Sequence, residues 1–168
     1  SCASCTTNAI ASPLRVLHDA LGIDSFYMST THAYTADQAL QNLLRPDAPQ
    51  RGMAAAENII PTSTGAAKAI GEVIPALAGK GTGIALRVPV ADGSIVVITM
   101  VVSKPTTKDE VNGILKAASE GALKGILAFS EEELVSKELL GRPESSIIEG
   151  KLTAVSKDGN LVTVVAWA

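Results

Sequence analysis

The chain has 168 residues, 46% of them hydrophobic and 18% charged, with a formal net charge of -3 at neutral pH. That size and composition suit one domain with a well-formed core and exclude a disordered chain. Lys and Arg are scattered, which argues against nucleic-acid or anionic-membrane partners, and no run approaches the roughly 20 apolar residues of a membrane span.

Taken in chain order, Ile10, Leu14, Leu17 and Leu21 recur at helical spacing and predict a helix over residues 6–21 that stops at Gly22. Cys5 therefore stands at a helix N-terminus. His18, beside Asp19 in that helix, reads as a solvated or capping residue. Residues 26–34, rich in Thr and aromatics, predict a strand with His32 near its C-terminal end. From Ala36 to Asn58 there is no sustained period, and Pro46 and Pro49 interrupt any helix, so a long ordered loop is expected. An Ala-rich helix follows over 64–77, ended by Gly79 and Gly81. Two β-branched runs, 83–90 and 94–103, are joined through Ala91-Asp92-Gly93 and predict a hairpin. Residues 108–120 predict an amphipathic helix behind Thr106-Thr107. Runs at 145–148, 151–156 and 161–167 predict strands around the turn Lys157-Asp158-Gly159-Asn160. No linker or repeat divides the chain, so residues 1–168 are read as a single domain of α+β class. Its sheet is expected to be mixed and mostly antiparallel, with helices packed on one face.

Cys2 and Cys5 are too few and too close for a secreted disulfide framework, so their use is read as chemical and the setting as cytoplasmic. A helix N-terminus favours thiolate over thiol at Cys5, whereas a Cys in isolation is as readily a small buried hydrophobe. The pair also spells C-x-x-C, which leaves open a redox pair. Only His18 and His32 are available as a base, and His32 is the better candidate. The run Pro61-Thr62-Ser63-Thr64-Gly65 leads into a helix and reads either as an anion site or as plain capping, with Arg51 and Arg87 as cations able to grip a phosphate ester. No metal-ligand spacing is present.

These residues resemble the catalytic, C-terminal domain of glyceraldehyde-3-phosphate dehydrogenases. Ala3-Ser4-Cys5-Thr6-Thr7-Asn8 matches that family's active-site signature. Thr31-His32-Ala33-Tyr34-Thr35, Asp37-Gln38, the run 58–68, Leu86-Arg87-Val88-Pro89 and Val164-Val165-Ala166-Trp167 follow in family order. The resemblance implies that Cys5 attacks an aldehyde with His32 as base, the backbone N–H groups of both steadying the oxyanion. Thr35 and Arg87, with Asp37 orienting, would hold the substrate phosphate. Ser4, Thr6, Thr64, Gly65 and Arg87 would hold inorganic phosphate, and Arg51 would be a further phosphate contact. The partners implied are a small phosphorylated aldehyde, glyceraldehyde 3-phosphate or its near neighbour erythrose 4-phosphate, and inorganic phosphate. NAD would serve the complete enzyme, with Asn8 a cofactor contact here.

Departures from the family pattern set further expectations. No G-x-G-x-x-G nucleotide motif is present, the chain opens at Ser1 inside the signature, and it ends at Ala168 where the family continues Tyr-Asp-Asn-Glu. The chain is read as excised from a longer protein, binding no NAD by itself and deficient in hydride transfer. A non-catalytic structural fragment is the alternative. Cys2 and Ala9 replace the family's usual Asn and Cys, and basic residues expected near Gln50 and Met53 are missing, which bears on the family's homotetramer.

Overall fold

A computed structural model describes residues 4–168, and the C-x-x-C reading falls outside this range because Cys2 does. Helix α1 (Cys5–Leu21) starts where Ser4, in extended conformation, accepts the Thr7 N–H on its side chain at 3.2 Å. It ends at Gly22, whose φ of 70° a side chain would resist. His18 is a capping residue, since its Nδ1 accepts the Ile23 N–H at 2.9 Å. Pro13 lies inside this helix and has no N–H to give to the Ala9 carbonyl one turn back. Ser146, fully buried, donates its hydroxyl to that carbonyl at 2.6 Å. Ser146→Ala is expected to leave the carbonyl buried and unpaired and to cost about 1–3 kcal/mol. Urea denaturation with an unchanged midpoint would refute this.

Eight strands follow: β1 (Ile23–Ala33), β2 (Ile60–Ser63), β3 (Gly81–Val88), β4 (Ser94–Val102), β5 (Leu127–Ser130), β6 (Ser146–Glu149), β7 (Ala154–Val155) and β8 (Leu161–Trp167). Helices α2 (Ala66–Val73) and α3 (Lys108–Glu120) complete the set. The sheet runs β2-β3-β1-β4-β8-β6-β5, with β7 beside β8. Only β1–β3 and β5–β6 pair in parallel, so the sheet is mixed and mostly antiparallel, as its class requires.

The predicted hairpin between residues 83–90 and 94–103 does not form. Strand β1 lies between β3 and β4, parallel to the first and antiparallel to the second. The Asp92-Gly93 turn instead carries the chain across the end of β1, where Tyr34 N–H donates to Val88 O and Ala33 N–H to Gly93 O. Turn chemistry specifies a reversal, but the eleven-residue β1 offers two free edges and takes both neighbours. Three smaller departures are local. Pro75 ends α2 at Val73, before Leu77, and its N-cap is Gly65. Strands β2 and β5 are only four residues long and carry no clear alternation, and β2 tolerates Pro61 because it is an edge strand. Of residues 151–156 only Ala154 and Val155 pair.

The core lies between one sheet face and the helices. Ile10, Leu14 and Leu17 of α1, Ile70 of α2 and Leu115 of α3 are completely buried with Met28, Val96, Ile98, Val162 and Val164. On β3, Gly81 and Gly83 sit opposite Phe26 and Met28, whose bulk occupies the space their missing side chains leave. The other sheet face is open, with Tyr27, Ile84, Val97, Val101 and Leu161 exposed. No helix among the described residues is long and apolar enough to cross a membrane.

Candidate active site

The first turn of α1 and the end of β1 meet. Cys5 Sγ lies 3.0 Å from His32 Nε2 and 4.0 Å from Thr6 Oγ1. On the other side of the ring, Nδ1 is 2.6 Å from the Ala33 carbonyl. A carbonyl only accepts, so a proton on Nδ1 would bond it and leave Nε2 bare toward the thiol, whereas Arg87 Nη1, 2.6 Å from the same nitrogen, only donates and suits a bare Nδ1. The Cys5 thiol is brought down from 9.0 to about 7, first by its bond to His32, against the opposing pull of burial, and then by the charge of His32 and by Thr6. His32 is correspondingly raised above its usual value by the bond to Cys5, while burial and the Arg87 charge oppose. The bond to His32 is thus the largest influence on the Cys5 thiol.

Register explains how Arg87 joins them. It sits directly beside His32 across the parallel β1–β3 pair, and its Nη1 donates to Ala33 O at 3.0 Å while lying 2.6 Å from Nδ1. Burial lowers the Arg87 pKa, partly countered by the charges of Cys5 and Asp37. Its Nε is buried without a hydrogen-bond partner, a donor with capacity for an anion.

A second cluster hangs from the end of β1. Asp37 pairs with Arg51 at 2.9 Å and Arg45 at 3.5 Å. Arg51 Nε donates to Thr62 Oγ1 at 2.7 Å, and Nη2 reaches Ser63 Oγ at 3.5 Å. A polar cleft of about 410 Å³ opens there between residues 47–51 and 61–63. Thr35 donates both its N–H and its hydroxyl to Gln38 Oε1, at 2.9 and 3.1 Å.

The structure thus joins Cys5, His32 and Arg87 in one cluster, and Thr35, Asp37 and Arg51 in another that Arg87 feels electrostatically. Thr6 is buried beside Cys5. Asn8, half-buried, lies one turn along α1 from Cys5, on the same side of the helix. Ser4 and Thr64 spend their hydroxyls on helix ends, Thr64 accepting the Ala66 N–H at 3.2 Å next to Gly65. Thr62 and Ser63 belong to the run already read as an anion site or a cap, but not as partners of Arg51. Gln38 was given no role, although Thr35-Ala36-Asp37-Gln38 has the T-x-x-Q spacing of a capping box. No group of three or more potential metal ligands occurs among the described residues.

Residues 4–168 match the family model described as glyceraldehyde 3-phosphate dehydrogenase, C-terminal domain. The chain is 51% identical over 165 residues to a glyceraldehyde-3-phosphate dehydrogenase of Kitasatospora aureofaciens, 50% to that of Geobacillus stearothermophilus and 47% to that of Neurospora crassa. Each match covers 98% of this chain but only 48–49% of the relative, so the chain spans about half the length of the proteins it resembles. With the signature cysteine, its histidine and the arginine beside them on a mixed sheet, the chain belongs to the glyceraldehyde-3-phosphate dehydrogenase family, of which it carries the C-terminal domain.

Proposed function

We propose that this chain is the catalytic half of a phosphorylating, NAD-dependent glyceraldehyde-3-phosphate dehydrogenase, with Cys5 as nucleophile and His32 as base. The supporting observation is the 3.0 Å contact between Sγ and Nε2 together with a thiol pKa of about 7. With a thiol pKa of about 7, roughly half of Cys5 is thiolate at neutral pH, the form that attacks a carbonyl, and His32, raised by the same contact, is placed to take the thiol proton. The C–S bond forms as the aldehyde oxygen takes up the electron pair, and the Nε2 proton passes to that oxygen, giving a thiohemiacetal. Nε2 then withdraws the same proton as the carbon is oxidised. NAD, bound by the complete enzyme, would supply the hydride acceptor for that oxidation, and Asn8 is the residue of this chain that would face it. An oxygen of inorganic phosphate attacks the resulting thioester, and Cys5 leaves as a thiolate beside protonated His32.

Arg87 serves both phosphates, through Nε and the rest of its guanidinium, with Thr35, Asp37 and Arg51 on the substrate side and Thr6, Ser4, Thr64 and Gly65 on the other. The reading carries with it the family's four-subunit assembly and a cytoplasmic setting. The exposed apolar residues on the open sheet face support the assembly.

The first step needs no cofactor and is testable on this chain. Glyceraldehyde 3-phosphate labelled with 13C at the aldehyde carbon should give a thiohemiacetal resonance in Cys2→Ser protein, and none in the Cys2→Ser/Cys5→Ala double variant. A resonance that survives loss of Cys5, or its absence from both, would overturn the proposal.

A further inference from the structure

Gln38 is almost fully buried, 3% exposed, yet every polar atom of its amide is directed at residues of the second cluster. Its Oε1 accepts twice from Thr35, while its Nε2 donates to Asp37 Oδ2 at 3.3 Å. Its own backbone N–H returns to Thr35 O at 3.0 Å. The Gln38 side chain takes the Thr35 N–H as in a capping box, but the Gln38 N–H goes to the Thr35 carbonyl and not to its hydroxyl, in a loop with no helix to cap. Asp37 in turn holds Arg51 at 2.9 Å, and Arg51 holds Thr62. One buried amide therefore fixes a hydroxyl on one side and, through a carboxylate, a guanidinium on the other.

The arrangement also sets where the Thr35 hydroxyl proton goes. A hydroxyl has one proton, and Thr35 gives it to Gln38 in the structure as it stands. To donate to an incoming anion it must leave Oε1, which keeps the Thr35 N–H and so holds the backbone in place while the hydroxyl turns. We propose that Gln38 is a positioning residue for a phosphate monoester bound at Thr35 and Arg51. It presents the Thr35 hydroxyl and, by restraining Asp37, regulates how far Arg51 is available to the ester. This rests on the catalytic reading above and goes beyond it by giving a role to a residue that touches neither the thiol nor the imidazole.

The test measures protection of Cys5 from iodoacetamide in Cys2→Ser protein, with glycerol 3-phosphate as an unreactive ester and inorganic phosphate in parallel. Each variant's alkylation without anion is its own reference. Gln38→Met removes both halves of the amide at similar size. Gln38→Glu keeps the acceptor for Thr35 and sets a second carboxylate against Asp37. Both variants are expected to raise the half-protecting concentration of glycerol 3-phosphate about tenfold, the scale of one lost hydrogen bond to a charged group. Gln38→Glu, which buries a second carboxylate beside Asp37, should lower the melting temperature, so both variants are measured well below their transitions, where an unchanged rate of alkylation without anion separates positioning from folding. Inorganic phosphate should shift less than the ester. Ester protection that is unchanged in both variants would overturn the assignment, and so would an equal loss for ester and inorganic phosphate, which would move the effect to Arg87. A parent protein that glycerol 3-phosphate does not protect would instead remove the phosphate pocket itself, and this inference with it.

Discussion

Alkylation of Cys5 by iodoacetamide, followed in Cys2→Ser protein, will rise with pH through a midpoint near 7, and His32→Asn will move that midpoint up by more than one pH unit. An ordinary thiol titrates near 8.5, so at pH 7 the difference is roughly tenfold in thiolate. The direction follows from the causes: the bond to His32 is the largest influence lowering Cys5, and burial, which favours the neutral thiol, opposes it. Removing the imidazole leaves burial unopposed except by Thr6 and the helix end. Because His32 is raised by the same contact, the two groups titrate as a pair and the midpoint belongs to both. A midpoint above 8 in the parent protein, unmoved by His32→Asn, would show that the Sγ–Nε2 contact moves no proton.

Gly83→Ala is expected to be strongly destabilising, because its methyl meets the backbone of a central strand. A Cβ there would lie 2.3 Å from the Met28 carbonyl oxygen and 2.5 Å from its Cγ, and Met28 is fully buried. The carbonyl is backbone in the middle of β1, so the β1–β3 pair must move apart, at a cost of about 3 kcal/mol and a loss of roughly 10 °C in melting temperature. The same pair sets Arg87 beside His32 four residues further on, so the Cys5 midpoint should shift as well. Gly113→Ala supplies the contrast. Nothing lies within 4 Å of its Cβ position on the exposed side of α3, and it should stabilise by about 0.5–1 kcal/mol. Calorimetry showing Gly83→Ala as benign as Gly113→Ala would mean that β1 and β3 are not packed in this register.

Much of the site was legible because its signals are local. Cys5 at a helix start depends on Ser4 and a helical period, and His32 at a strand end on a run of β-formers; both are read within about ten residues. Arg51 and Arg87 could be proposed as cations, yet nothing local says which anion or which neighbour each meets. Gln38 had a local signal in its T-x-x-Q spacing, but without a helix to cap, that spacing points nowhere until the loop is folded. The missed strands β2 and β5 are short and gain their order from the strands they pair with, the longer β3 and the fully buried β6.

The residues alone determined the class of the fold, the helices and the long strands, and singled out Cys5 and His32 as candidates, since period, capping and composition act between near neighbours in the chain. Tertiary structure decided which strand entered between β3 and β4, and with it that Arg87 stands at His32 while Asp37 and Gln38 hold Arg51 and Thr35. Those choices depend on which sheet edges remain free and where large side chains such as Met28 find a glycine opposite them. Both are properties of residues tens of positions apart, brought together only when the core closes.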